Sequence, residues 1–148
     1  MVTLKLVRLI ESHCDDLAAD LAERLHRSSR TAGFLVIPRD ELVHATRDLY
    51  RNLGDWLMSK TEDEIEMRFV GVGKQRYGQK VPIDDVVWGI IMSKETLFGY
   101  LRHESVADHA LDLFNEREFL QLLDGFFDRA IYYAVRGYEQ AKSTRAAA

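Results

Sequence analysis

Cysteine and proline are both scarce in this chain of 148 residues, and each shortage excludes a class of structure. Cys14 is the only cysteine, so the chain can form neither an internal disulfide nor a cysteine-rich metal site. A single thiol also fits a reducing compartment, and we expect a cytoplasmic protein. Pro38 and Pro82 are the only prolines, and they divide the chain into three long stretches that are free to be helical.

The chain also lacks a dominant charge and a long apolar run. Basic residues number 20 and acidic residues 24, and they are interspersed, with a formal charge of −4. Without a basic stripe, a nucleic-acid partner is not expected. The longest strongly apolar run, Val86 to Met92, is too short to span a bilayer. Arg8 and Glu11 interrupt the apolar start, so neither a membrane partner nor a signal peptide is predicted.

Apolar residues recur at helical spacing in all three stretches, and no stretch alternates as a strand would. The first helix is predicted from about Val2 to about Arg27, and the second starts near Pro38. Thr61 and Glu64 form a capping-box pattern that opens the third helix. Gly71 and Gly73 weaken that helix but would allow another helix to approach closely.

Further helices are predicted after the turn at residues 78–82, near Ser105 and Asp108, and from about Glu116 to about Lys142. The segment near Ser105 should turn Leu111 and Phe114 inward. The sequence therefore predicts an all-α, single-domain bundle of about five or six helices with a long C-terminal helix. Loop lengths permit either an up-and-down bundle or a globin-like arrangement.

The last helix is apolar on two sides, and such a helix needs two partners. One partner would be the core and the other a second copy of the chain, so we expect a homodimer. The residues predicted for its interface form the second face of the helix: Leu120, Phe127, Ile131 and Tyr138.

Arg76 and Lys94 occupy positions where the helical pattern predicts a core residue. Because a buried unpaired charge is costly, each should pair with a carboxylate or extend its head group outward. The alternative is a pocket for a small anionic ligand, with Tyr77 and Trp88 as aromatic walls.

Two histidines, His13 and His44, are candidate ligands for haem or a metal ion. His13 lies on the apolar stripe of the first helix, where it could be a ligand in a pocket or a core residue bonded to a carbonyl. Glu41 and His44 match the Glu-x-x-His spacing of di-iron bundles, but they fall on the polar face of the second helix. The sequence also lacks the second Glu-x-x-His motif that such a site needs. No metal site, cofactor or catalytic residue is therefore predicted.

Two segments resemble a known family. Residues 68–101 read RFVGVGKQRYGQKVPIDDVVWGIIMSKETLFGYL, with Gly73, Arg76, Gly78 and then Val81-Pro82-Ile83 before an apolar run. Residues 7–25 read VRLIESHCDDLAADLAERL. Both segments resemble the N-terminal helical sensor domain of RsbRD-type stressosome co-antagonists and related bacterial histidine kinases.

The resemblance implies an all-helical, often dimeric input domain joined to a downstream output domain, and it implies no catalytic residues. We therefore expect a non-enzymatic sensory or regulatory module of bacterial signal transduction. Residues 1–148 would be one domain, either stand-alone or the N-terminal part of a longer signalling protein. Two alternatives stay open, a haem- or metal-binding helical protein and a scaffold that binds only proteins.

Overall fold

The structure is a computed structural model that describes residues 2–104 and 110–147, with side chains over residues 5–104 and 116–147. Within these ranges the chain forms seven α-helices and one 3-10 helix, without a strand. The helices are α1 (Val2–Ser12), α2 (Cys14–Arg27), the 3-10 helix (Ser29–Val36), α3 (Arg39–Arg51), α4 (Leu53–Met58), α5 (Glu62–Gly78), α6 (Ile83–His103) and α7 (Ala110–Ala147). The predicted all-α bundle with a long C-terminal helix is confirmed.

Two of the predicted helices are each divided by one residue. His13 separates α1 from α2 with φ −113° and ψ 19°, and Asn52 separates α3 from α4 with φ −108° and ψ 23°. Both residues lie near the sparsely allowed bridge region, so the chain changes direction there. Neither position carries the proline or glycine that marks a helix end in a sequence, and the predicted count of five or six helices was too low.

The ends of α5 are defined by local hydrogen bonds. At its start, Thr61 Oγ1 accepts from the Glu64 backbone N–H at 3.2 Å, and the Thr61 backbone N–H donates to Glu64 Oε1 at 3.1 Å. The predicted capping box is thus confirmed. At its end, the Lys80 and Val81 backbone N–H groups donate to the carbonyls of Tyr77 and Arg76, and Lys80 has a φ of 65°. This is a Schellman motif with lysine at its left-handed position.

The C-terminal helix α7 begins earlier than predicted, at Ala110 instead of Glu116, and continues to Ala147. The helix start predicted at Ser105 and Asp108 lies outside the described residues, and so do the side chains of Leu111 and Phe114. α7 packs along α5 for much of its length. Aromatic side chains of α4, α5 and α7 pack against one another where these helices meet. Among them, Phe69 and Phe126 lie edge to face at a centroid distance of 5.6 Å.

The buried side chains form two adjoining clusters. One draws on all seven α-helices and includes Tyr50, Phe119 and Phe127. The other surrounds the 3-10 helix and includes Phe34 and Ile37. Ile90 of α6 packs against both clusters, so α6 links the two halves of the core.

Candidate functional site

A cavity of about 100 Å³ lies where the two core clusters meet. Its wall draws on α2, the 3-10 helix, α3, α5, α6 and α7, and is mostly apolar. The residues that line it are Leu21, Leu25, Phe34, Leu42, Ala45, Thr46, Leu49, Arg68, Phe69, Val72, Arg76, Val86, Gly89, Ile90, Ser93 and Phe127. Such a space between helices of a bundle is where small ligands commonly bind.

Small side chains on α3 and α6 leave this space open. The smallest residues of the wall are Ala45 and Thr46 of α3 and Gly89 and Ser93 of α6. A Cβ atom on Gly89 would lie 2.9 Å from the Phe34 ring, so the glycine lets that ring sit close against α6. Gly89 thus brings the Phe34 ring into the wall, while Ala45, Thr46 and Ser93 keep the other wall positions on these helices small.

The partly exposed residues of the wall show where the cavity approaches the surface. Ala45 on α3 and Arg68 and Val72 on α5 are half-buried, whereas most other lining residues are buried. The opening thus lies between α3 and α5. Polar side chains bridge these helices on either side of it: Arg68 Nη1 donates to Asp48 Oδ2 at 3.1 Å, and Gln75 Nε2 donates to Glu41 Oε1 at 3.2 Å.

Arg76 is the most deeply buried cation of the wall, with 8% of its surface exposed. Its Nη1 donates to Gln79 Oε1 at 2.7 Å, and its guanidinium lies 5.7 Å from the centre of the Phe34 ring. Burial lowers the pKa of the guanidinium from its ordinary value, because removal from water disfavours the charged form, and the negative charge of Glu41 opposes that shift. The described part of the chain gives Arg76 no carboxylate within salt-bridge distance.

Glu41 is connected to Arg76 through Gln79. Gln79 Nε2 donates to Glu41 Oε1 at 3.0 Å, while the other end of the same amide accepts from Arg76. The carboxylate thus orients the glutamine, and the glutamine orients the guanidinium. This bond to Gln79 is the side-chain hydrogen bond of Arg76 to the described residues.

Arg68 carries the second positive charge of the wall. Its guanidinium lies 5.0 Å from the centre of the Trp56 ring, which suits the flat faces of both groups. Its Nη1 is bonded to Asp48, but its Nε is buried and has no hydrogen-bond partner among the residues described. A buried donor without a partner costs roughly 1–3 kcal/mol, so this atom needs explanation.

Two hydroxyl groups complete the polar part of the wall, those of Thr46 and Ser93. Behind Ser93, the fully buried Tyr50 hydroxyl donates to the Ser93 carbonyl at 2.8 Å and lies 3.0 Å from Ser93 Oγ. Burial raises the pKa of Tyr50 well above its ordinary value, because the phenolate would be stripped of water. Tyr50 thus fixes α3 against α6 beside the cavity.

The structure separates most of the residues predicted for a ligand site. Arg76 lines the cavity, but the Lys94 ammonium pairs with Asp124 Oδ1 of α7 at 2.9 Å. The Tyr77 ring packs edge to face on Tyr138, with 5.2 Å between centroids, and the Arg30 guanidinium lies 4.6 Å from the centre of the Trp88 ring. Lys94 thus follows the carboxylate-pairing alternative, with Asp124 as a partner that the sequence did not single out.

His13 is exposed at the break between α1 and α2. Its Nδ1 lies 2.9 Å from the Leu9 carbonyl oxygen, and its ring centroid is 5.6 Å from that of Tyr100. The predicted carbonyl bond is present, but the predicted core position is wrong because the helix break rotates the side chain outward. His44 is exposed on α3, as the polar-face prediction required. Over the described residues, no group of three or more histidine, cysteine, aspartate or glutamate side chains could hold a metal ion.

The residues predicted for the dimer interface are partly used within the chain itself. Phe127 is 1% exposed and lines the cavity, and the half-buried Tyr138 donates its hydroxyl proton to the Val81 carbonyl at 2.8 Å. Leu120 and Ile131 are half-buried. The second apolar face of α7 is therefore explained in large part by contacts with its own chain.

Arg68, Thr46 and Ser93 are wall residues that the sequence reading missed. A signal for Arg68 was available, since it precedes Val72 by four residues and Arg76 by eight, which places all three on one face of a helix. Thr46 and Ser93 carry no such signal, because a hydroxyl on a helix fits a surface position equally well.

The chain is thus a helical bundle with a small, mostly apolar cavity between its helices, and its wall holds one buried and one half-buried arginine. More particularly, the chain belongs to the family described as the RsbT co-antagonist protein rsbRD N-terminal domain, whose model matches residues 15–148. The resemblance seen in the sequence is confirmed. Comparisons with curated proteins and with solved structures found no match.

Membership of this family makes the chain a regulatory module of the stressosome type. The family is one of regulatory co-antagonist domains and not a known family of enzymes. None of the helices in the described ranges has the length and apolar character needed to cross a membrane.

Proposed function

We propose that this chain is a sensory module that binds a small molecule in the cavity and passes the binding on as a change in the packing of α7. The observation that carries the proposal is the cavity itself, which buries Arg76 and is walled by α3, α5 and Phe127 of α7. A ligand there would contact α3 and α5 and, through Phe127, also α7. The polar groups of the wall favour this role over that of a scaffold that binds only proteins.

The route from the cavity to α7 is short. α5 and α7 meet at backbone distance. A Cβ atom on Gly73 would overlap the Ala134 carbonyl oxygen, so glycine is what permits this approach. Packed interfaces of this kind do not deform continuously, so a shift of α5 must displace α7 or change its register. Across the opening, by contrast, α3 and α5 are bridged by exchangeable polar contacts, and these can adjust when a ligand enters.

The receiver of this change would be a signalling protein or a downstream output domain. The family name refers to a co-antagonist of RsbT, and we propose that this chain likewise regulates a signalling partner. Residues 1–148 would act as one input domain. The homodimer stays a prediction; light scattering at tens of micromolar should give twice the 17.1 kDa of one chain, and the monomer mass would contradict it.

The proposal can be tested without a known ligand by filling the cavity. Ala45→Leu adds three carbon atoms at the half-buried opening while keeping a residue that favours helix. His44→Leu is the matched control, because it makes the neighbouring exposed position of α3 equally apolar. The exchange of backbone amide hydrogens is then measured in the parent and in both variants.

We expect Ala45→Leu to change the exchange of α7 amides over residues 126–144 more than that of α1, and His44→Leu to leave both unaltered. A change limited to α3 and α5, with α7 as in the parent, would overturn the proposed coupling.

A further inference from the structure

We propose that the ligand of the cavity is a small monocarboxylate with an apolar body, held by Arg76 and Arg68. This inference rests on the proposed function, since it assumes that the cavity is the ligand site. It goes further by assigning the charge, the size and the binding groups of the ligand.

The size follows from the volume. A dry cavity of about 150 Å³ between helices can hold benzene, so about 100 Å³ suits a molecule of roughly four to six non-hydrogen atoms. Aliphatic and aromatic side chains dominate the wall, including Leu42, Leu49 and Phe127. The body of the ligand must therefore be apolar, because a polar body would lose its hydrogen bonds to water there.

The negative charge follows from the two arginines. Arg76 has one hydrogen bond to a described protein group although it is 8% exposed, and Arg68 has a buried Nε without a partner. Both project from the same face of α5, eight residues apart, with Val72 between them at the opening. Guanidinium donors match carboxylate oxygens in geometry and charge, so a carboxylate in the cavity is the acceptor that the arginines of its wall favour.

The single charge follows from the acidic neighbours. Asp48 is bonded to Arg68, and Glu41 is linked to Arg76 through Gln79. Asp48 thus pairs directly with Arg68, whereas Arg76 has no direct carboxylate partner among the described residues, and one negative charge is enough to supply it. A phosphate dianion or a dicarboxylate would add two negative charges beside Asp48 and Glu41, whereas a monocarboxylate adds one.

The test compares two probes of the same shape, isobutyrate and isobutyramide. Each has six non-hydrogen atoms, and they differ in the carboxylate against a neutral amide. Binding is followed by two-dimensional NMR of the 15N-labelled chain, which reports both affinity and location. We expect isobutyrate to shift the amide signals of residues lining the cavity and to bind about 10-fold or more tightly than isobutyramide, the ratio that about 1.4 kcal/mol produces.

Equal affinities for the two probes would overturn the assignment of a carboxylate while leaving the cavity as a ligand site. Binding of neither probe, or shifts confined to surface residues, would overturn the assignment as well. The cavity-filling exchange experiment uses no ligand, so its outcome separates failure of this inference from failure of the proposed function.

Variants then test the assigned groups. Arg76→Gln and Arg68→Gln should each weaken isobutyrate binding by about 10-fold and leave isobutyramide binding within about 2-fold, because only the ionic contact is lost. Arg51→Gln, on the exposed face of α3, is the matched control and should change neither. If Arg76→Gln does not fold by circular dichroism, Arg68→Gln and the probe pair still decide the question. Parent-like isobutyrate affinity in folded Arg76→Gln and Arg68→Gln would contradict the inference.

Discussion

Gly73 of α5 and Gly137 of α7 lie where the two helices meet at backbone distance, and each faces the main chain of the other helix. A Cβ atom on Gly73 would lie 2.7 Å from the Tyr138 backbone nitrogen, and one on Gly137 would lie 2.8 Å from the Val70 Cα atom. The carbonyl oxygens of Ala134 and Val70 would be overlapped even more closely. Only residues without a Cβ permit this approach, which brings α5, part of the cavity wall, against the main chain of α7.

Gly73→Ala and Gly137→Ala should each destabilise the fold, because backbone atoms cannot move aside as a flexible side chain could. We expect a loss of about 1–3 kcal/mol or more in the free energy of unfolding, measured with urea. Gly71→Ala is the matched control: it is on the same helix, and a Cβ there meets nothing within 4 Å. That variant should gain about 0.5–1 kcal/mol from helix propensity. A neutral Gly73→Ala would contradict the close packing.

Lys80→Gly should leave stability unchanged or raise it by up to about 1 kcal/mol, since Lys80 has a φ of 65° that glycine adopts without strain. The same change at Lys74, an exposed position inside α5, should cost about 1 kcal/mol. Thermal unfolding of both variants checks the contrast. A loss at Lys80 as large as that at Lys74 would show that the left-handed conformation is absent.

Thr61→Ala should lower the free energy of unfolding by about 1 kcal/mol, because the first turn of α5 loses the oxygen that accepts from the Glu64 backbone N–H. Thr61→Ser keeps that oxygen and should stay close to the parent. Urea unfolding of the two variants gives the comparison. If both variants lose the same amount, the methyl group and not the cap would be responsible.

Stability should fall in alkaline solution as the buried and hydrogen-bonded tyrosines are forced to ionise. Burial holds the pKa of Tyr50 far above its ordinary value of 10.0, and the hydrogen bond to Glu62 raises the pKa of Tyr133 to about 12. Because these folded-state values exceed the unfolded one, their contribution is complete below pH 10.0 and is lost as the pH rises, through about 12 for Tyr133 and at still higher pH for Tyr50.

Urea unfolding across this alkaline range provides the measurement. Tyr50→Phe should flatten the fall in stability, whereas Tyr132→Phe, at an exposed position, should leave it as in the parent. A parent whose stability does not fall above pH 10.0 would contradict the burial of Tyr50.

Local sequence was sufficient for the elements whose signals are local. The Thr61 capping box and the helical spacing of apolar residues in α5 and α6 depend on residues within a few positions of each other, and those predictions are confirmed. The breaks at His13 and Asn52 were missed: histidine does not mark a helix end, and Asn52, a residue type that does, stands inside the continuous helical spacing of Leu49 and Leu53.

The site required the tertiary structure. The sequence identified Arg76 as a charge on an apolar stripe, but Lys94 on the next helix showed the same pattern and instead pairs with Asp124. Which charge faces a cavity and which finds a carboxylate depends on how α5 and α6 are rotated against their neighbours. That rotation is decided by packing among helices far apart in sequence.

The sequence by itself determined the fold class, the family and the helical faces, because periodicity, caps and family motifs are written in consecutive residues. The tertiary structure alone decided that small residues on α3 and α6 enclose a space, that Arg68 joins Arg76 in its wall, and that Phe127 belongs to the chain's own core. The physical reason is that a cavity is what several side chains leave unfilled when their helices pack, and no single segment specifies that volume.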